Sequence, residues 1–228
     1  MASAAPTSIA IITGASRGFG ASLCRAVRSL HPTCKIYCLS RPSPSLTAVA
    51  ASVSGTAVPI DFSTPQETYS AAFKDLLSTL PPDLPATLYN NHGTLGPLLS
   101  LPPPSSVPPC VDLNVTSCLT LSLSFASAYP SGSIVNVSSL AAVQPFPTWS
   151  LYCAGKAARD MFHACLSKTH AGYVLNYAPG AMDTDMQGEI REGESDEENR
   201  KAFVRMKEEG KLVDPGVSAL KCVRLVGR

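Results

Sequence analysis

Charge is scarce in this chain, and no run of one sign is present to capture nucleic acid or an anionic membrane. Asp, Glu, Lys and Arg make up 15% of the 228 residues and nearly cancel, at a formal net charge of +1. Such a surface has no electrostatic hold on a polyanion, so neither partner is expected. There is no CxxC pair among the eight cysteines, at 24, 34, 38, 110, 118, 153, 165 and 222, and the four histidines, at 31, 92, 163 and 170, form no ligand cluster with them. The spacing of a zinc site is therefore missing, and the cysteines read as reduced thiols acting as small apolar residues. No apolar run approaches the length of a bilayer span. The short apolar stretch 9–12 flows straight into Gly14 and Arg17, without the basic flank, longer core and cleavage region of a secretory signal. The expectation is a cytoplasmic protein without metal or membrane.

What is present is apolar material in alternating blocks. At 45% hydrophobic residues the chain can bury one sizeable core, and residues 1–228 are expected to form one domain. Short strands are predicted at 8–13, 35–39, 56–60, 86–89, 133–137 and 173–178, and helices at 21–30, 68–80, 111–128 and 152–169. Strands alternating with helices predict an α/β protein with a parallel sheet of about six strands, covered on both faces. Two segments break the rhythm. Residues 97–109 hold six prolines, which predicts a loop or extended spacer. Residues 188–211 carry eight acidic and six basic residues, which suits either solvated helices or a mobile lid.

The first strand is followed by Gly14, Ala15, Ser16, Arg17, Gly18, Phe19 and Gly20, and then by a helix. Glycines permit the tight turn and close approach that a pyrophosphate needs, and the helix N-terminus offers it unpaired N–H groups. At the end of the second strand, an NAD site places a carboxylate for the ribose hydroxyls; here stand Ser40, Arg41 and Pro42. Arg41, with Arg17, can pair with a 2′-phosphate, so NADP(H) is the predicted cofactor. Asp61 ends the third strand, where its side chain can touch the adenine edge. Asn90, Asn91, His92 and Gly93 end the fourth, at the carboxyl edge where a parallel sheet binds ligands.

Tyr152 and Lys156 stand four apart, on one face of a helix. A neighbouring ammonium favours the phenolate and is expected to bring Tyr152 toward the working pH range, and Lys156 can also hold the cofactor's ribose. Ser139 ends the fifth strand, thirteen residues before Tyr152. Its hydroxyl can bind a carbonyl oxygen that Tyr152 protonates; Ser138 is the alternative, but only one of the two should face the site. Asn114 is placed to support Lys156 through water. Together these residues predict an oxidoreductase that reduces carbonyls.

TGASRGFG, NNHG, Asn114, VSS, YCAGK and NYAPG occur in the order of the short-chain dehydrogenase/reductase family, which the chain resembles over essentially its whole length. The likeness is most specific over 133–214, to the branch that reduces pterin side-chain carbonyls, including the last step to tetrahydrobiopterin. It implies a Rossmann-like three-layer sandwich and a cytosolic homodimer. It also implies an NADP site of Gly14 to Gly20, Arg41, Pro42, Asp61, Phe62, Asn91, Lys156 and the loop Met182, Asp183, Thr184, Asp185, Met186 and Gln187, with Thr184 on the carboxamide. Gly180 would lie against substrate, beside Ser139 and Tyr152, and Phe146 and Trp149 would wall a flat pterin or simply pack in the core. The faces of helices 111–128 and 152–169 would supply the dimer contact.

Some features depart from that pattern. His92 stands where the family has alanine, so its ring must be accommodated beside the cofactor. A helix is expected at 215–225, and the resemblance implies a further edge strand after it, carrying an aspartate that anchors the pterin; no equivalent is present before Arg228. The expectation is normal NADPH binding with weak, poorly selective pterin binding. Two other functions fit the same residues: a broader NADPH carbonyl reductase, and a non-catalytic NADP-binding or interaction protein.

Overall fold

A computed structural model describes residues 5–226. Residues IAIIT form β1 (Ile9–Thr13), and all five are buried. A strand buried on both faces belongs inside a parallel sheet, and β1 lies there. The other strands are β2 (Lys35–Ser40), β3 (Thr56–Pro59), β4 (Ala86–Asn90), β5 (Ser133–Val137) and β6 (Val174–Tyr177). All pairings are parallel, in the order β3-β2-β1-β4-β5-β6. Ile11 pairs with Tyr37 on one side and Leu88 on the other. The order reverses between β1 and β4, and their carboxyl ends open the crevice in which such sheets bind ligands.

The helices are α1 (Gly18–Leu30), α2 (Pro44–Ser52), α3 (Gln66–Thr79), α4 (Pro104–Ala128), α5 (Ser150–Leu166), α6 (Asp185–Gly193), α7 (Glu197–Glu208) and α8 (Pro215–Val226). Successive β1 side chains feed opposite layers. Ala10 and Ile12 pack with α1, α2 and α8, through Leu23, Leu46 and Val223 among others. Ile9 and Ile11 pack with α3 and α4, through Phe73, Leu121 and Phe125. Each such side chain, fully buried, stabilises the fold by about 1.5–3 kcal/mol. The three-layer α/β sandwich expected from the alternation is the one observed.

Three sequence expectations change. Helix α2 was not foreseen, although Ser43 caps it by accepting from Leu46 N at 3.2 Å and Pro44 takes its first position. The proline-rich segment is only partly a loop, because α4 begins at Pro104 and carries Pro108 and Pro109 near its start. Pro104–Ser106 form a 3-10 turn and the α-helical part begins at Val107, so Pro108 and Pro109 stand in its first turn, where a missing N–H would have no partner. The third change concerns length. The 25 residues of α4, at mean hydropathy 1.2, are long and apolar enough to cross a membrane, contrary to the reading that no run approaches that length. Cys118, Leu121 and Phe125 of α4 are fully buried core residues, which gives its apolar face a use inside the fold.

Candidate active site

The phosphate turn is shaped by what its glycines leave out. Gly14 has φ +62°, and a Cβ added there would lie 2.9 Å from Asn91 Nδ2; one added at Gly20 would lie 2.2 Å from the carbonyl oxygen of Gly14. Neither position accepts a side chain, so the turn stays tight. Asn91 fixes it from β4, donating from Nδ2 to Thr13 O at 3.0 Å and to Gly14 O at 3.3 Å, and from its backbone N to Thr13 Oγ1 at 2.8 Å. Ala15 is buried, and Ser16 accepts from Ser40 Oγ at 3.0 Å, which ties the turn to the end of β2. Arg41 and Pro42 follow, both exposed. Across the cleft, the nearest atom to a Cβ built at Gly18 is Thr184 Cγ2, at 3.6 Å. Segment 182–187, whose last three residues open α6, therefore faces the turn, and the cradle, the α1 N-terminus and Arg41 together fit a nicotinamide dinucleotide.

Beyond this turn, β5 and α5 bring the predicted catalytic side chains together. Tyr152 and Lys156 are both buried on α5. Lys156 Nζ stands 5.6 Å from the Tyr152 ring centroid and donates to Val137 O at 2.6 Å. The Ser139 hydroxyl stands beside the phenol. It also caps the short turn Leu140–Ala142, accepting from Ala141 N at 3.2 Å. Ser138 is turned away and donates to Asp160 Oδ2 at 2.6 Å, which leaves Ser139 as the serine beside Tyr152. A serine, a tyrosine and a lysine at the carboxyl edge of β5 can polarise a carbonyl oxygen and protonate it.

The short chain dehydrogenase family pattern matches residues 8–195. The chain belongs to the short-chain dehydrogenase family. It is 37% identical to the sepiapterin reductase of Meriones unguiculatus, an alignment covering 96% of this chain and 90% of that one. It is 38% identical to the sepiapterin reductase of Bos taurus, covering 96% and 89%. A benzil reductase ((S)-benzoin forming) of Bacillus cereus is 29% identical, covering 90% and 88%. Among solved structures, the KRED1-Pglu enzyme superposes with a TM-score of 0.89 at 26% identity, covering 97% of this chain and 95% of that one. The chain is thus a nicotinamide-dependent oxidoreductase.

In this short-chain dehydrogenase the electrostatics differ from the sequence expectation. Burial is the largest influence on Tyr152 and raises its phenol above the ordinary value; contact with Ser139 and the charge of Arg159 work against it. Lys156 is itself pulled down to about 7, by burial first and by the Arg159 charge second. The phenol is therefore held as the acid, which is the form a proton donor needs, and lysine does not dominate its titration. Asn114 lies in a π-turn, Asp112–Thr116, inside α4. Its amide is committed to Thr94, accepting from Thr94 N at 2.8 Å and donating to Thr94 O at 2.9 Å. The side chain thus orders the loop after β4 and makes no direct hydrogen bond to Lys156.

Other predicted cofactor residues are engaged within the protein. Arg17 reaches α6, pairing with Asp185 at 3.3 Å and Glu189 at 3.4 Å, both exposed pairs of small stabilising effect. Asp61 Oδ1 accepts from Ser63 N at 2.9 Å and Ser63 Oγ at 2.6 Å, capping its own turn. Phe19 is buried and stacks on Tyr177 at 6.2 Å. Phe62 stacks on His92 at 4.2 Å, so both side chains serve the core. Asp183 pairs with Lys207 of α7, and Gln187 donates to Phe203 O at 3.2 Å. Met182 forms a parallel bridge with Val213. Gly180, at φ +89°, also packs by Val213, whose Cγ2 would lie 3.1 Å from an added Cβ.

Two contributors, Arg159 and Glu194, were missed by sequence reasoning. Arg159 is fully buried and donates to Asn136 Oδ1 at 2.8 Å, His92 O at 2.9 Å and Asn90 O at 2.6 Å. It joins the ends of β4 and β5 under the site and supplies the charge felt by Tyr152 and Lys156. His92 lies against the phosphate turn, its Cα 3.0 Å from a Cβ built at Gly14, and its ring turns inward. It is buried between Thr13 Oγ1 at 2.9 Å and Ser117 Oγ at 2.6 Å, and burial, then the charges of Arg159 and Lys156, keep it neutral. Glu194 is buried against Trp149. Segment 188–211 falls mostly within the helix pair α6 and α7, as one expectation had it, and it also covers the site: its Ile190 and Phe203, with Met186 just before it, pack with Leu95, Phe146, Trp149 and Tyr152.

Proposed function

We propose that this chain reduces the side-chain carbonyl of a pterin with NADPH, as a sepiapterin reductase acting toward tetrahydrobiopterin. The observation that carries this reading is the placing of Ser139 and Tyr152 beside an aromatic wall. Trp149 lies edge-on to Tyr152 at 5.8 Å between centroids and stacks with Phe146 at 4.9 Å. A flat heteroaromatic ring can lie along that wall with its carbonyl toward the two hydroxyls. The 37% and 38% identity to two sepiapterin reductases supports the same substrate class.

The nicotinamide, when bound, supplies hydride to the carbonyl carbon. Ser139 donates a hydrogen bond to the carbonyl oxygen, and Tyr152 gives that oxygen its proton as negative charge develops. Lys156 holds the ribose and steadies the phenolate left behind; Arg159 assists electrostatically. Arg41 would receive the 2′-phosphate, and the absence of a carboxylate at the end of β2 favours NADPH over NADH. The free thiols suit a reducing, cytoplasmic setting. Val107, Val111, Leu123 and Met161 are exposed apolar residues on α4 and α5, and they support a homodimer built on these helices.

A second reading is reduction of small diketones. The cluster of Leu95, Trp149, Ile190, Leu98 and Phe146 around Tyr152 is apolar, and it resembles a general site as much as a pterin-specific one; the likeness to a benzil reductase points the same way. Following NADPH loss by absorbance with sepiapterin and with 2,3-butanedione decides between them. A higher kcat/KM for sepiapterin supports the first reading, and a higher one for the diketone supports the second. NADPH binding without turnover of either makes the chain a binding protein.

A further inference from the structure

Glu194 is a buried residue, 5% exposed, at the end of α6. Among the described residues it has no Lys or Arg partner. Four neutral donors satisfy it instead. Oε1 accepts from Thr148 Oγ1 at 2.5 Å and from Asp196 N at 2.9 Å; Oε2 accepts from Trp149 Nε1 at 2.5 Å and from Asn199 Nδ2 at 3.0 Å. Two donors thus belong to the α6–α7 segment itself and two to the loop that opens α5, the helix of Tyr152. A buried carboxylate is costly unless its lone pairs are filled, so this side chain holds only while both segments meet. Thr148 adds to the case: its φ of +65° lies in the left-handed region, unfavourable for a β-branched residue and sustained by its surroundings.

The contact closes more than a loop. Phe203 of α7 stacks on Trp149 at 5.4 Å and 23°. A second strap, Ser195 Oγ to Leu98 O at 2.7 Å, ties the same segment to the loop after β4. In this closed arrangement the chain's own ring lies on the aromatic surface next to Tyr152.

We propose that Glu194 is a positioning residue that sets substrate choice: it locks Trp149 as the wall beside Tyr152 and closes α6–α7 over it, and a flat aromatic carbonyl substrate enters by replacing Phe203 on that wall. The kinetic part rests on carbonyl reduction at Tyr152. The latch itself does not, because Trp149 is the one tryptophan in the chain and reports its own surroundings by fluorescence.

The experiment uses the full chain and the variant Glu194→Gln, whose amide NH2 faces N–H donors in place of an acceptor. Without ligand, Trp149 emission should move to longer wavelength as the indole loses its partner and meets water. With NADPH, KM for sepiapterin should rise about tenfold or more, the factor carried by one charge-assisted hydrogen bond, and far more than KM for 2,3-butanedione, which has no ring to stack. Glu194→Asp should recover part of both effects. Phe203→Ala, which leaves the carboxylate in place, should lower KM for sepiapterin by freeing the wall. Unchanged emission in Glu194→Gln overturns the latch whether or not the chain turns over any ketone. Equal rises for both substrates, or a raised sepiapterin KM in Phe203→Ala, overturn the role in substrate choice. If Glu194→Gln does not fold, the Phe203→Ala result decides.

Discussion

Lys156 reaches back from α5 to the end of β5, where its Nζ donates to Val137 O at 2.6 Å. That placement buries an ammonium, and burial, then the Arg159 charge, brings its pKa from 10.5 to about 7. In the unfolded chain the lysine keeps its proton to about pH 10. Between these values the unfolded state binds more protons, so this group's contribution to stability rises with pH. Lys156→Met should therefore be more stable than the parent at pH 7, by an advantage that shrinks by about 1.4 kcal/mol per pH unit toward pH 8.5. Urea unfolding of both proteins across this window measures it. A constant difference would contradict the burial of a titrating lysine.

Gly20→Ala should damage the phosphate turn, because its Cβ would lie 2.2 Å from the carbonyl oxygen of Gly14. Backbone must move, at a cost of about 1–3 kcal/mol, and NADPH affinity should fall with it. Gly193→Ala is the control, since a Cβ there meets nothing within 4 Å. It should leave stability unchanged or slightly raised. Thermal unfolding and NADPH titration of the two variants compare the sites directly.

Much of this was open to inspection in the residues. Gly14, Gly18 and Gly20 between an apolar strand and a helix announce the phosphate turn because the backbone allows little else there. Tyr152 and Lys156 share a helix face by spacing, and strand alternation separates Ser139 from Ser138. The rest depends on contacts distant in sequence. Arg159 binds Asn90 O and His92 O, 69 and 67 residues away, and nothing local marks it as buried. Glu194 lies in a segment so rich in charge that it reads as solvated, yet its four donors come from two separate stretches of chain. Helix α2 was overlooked because its sequence, PSLTAVAAS, mixes short polar and apolar residues and shows no clear stripe.

Arg41→Asp should raise KM for NADPH by about tenfold or more, the scale of losing a charge-assisted contact, with much less effect on KM for NADH. The exposed guanidinium at the end of β2 is the group exchanged. Steady-state kinetics with each coenzyme gives the ratio. Equal changes would remove Arg41 from coenzyme choice.

The apolar surface on α4 and α5 includes Leu123, 53% exposed, and Met161, 68% exposed. In a homodimer that buries these residues, Leu123→Glu with Met161→Glu places unpaired charge in the contact. Sedimentation at micromolar concentration should show twice the chain mass for the parent and the single-chain mass for the double variant. A parent that sediments as a monomer rules out this contact.

The central claim is that Tyr152 gives the proton in a carbonyl reduction at the end of β5. Tyr152→Phe removes one oxygen atom from a buried ring and leaves the phosphate turn untouched. Its kcat, followed by NADPH loss with the better of sepiapterin and 2,3-butanedione, should fall by about a hundredfold or more, while the Kd for NADPH from fluorescence titration stays within about twofold, the spread allowed when no cofactor contact is lost. A variant that retains most of the parent's kcat would contradict the account.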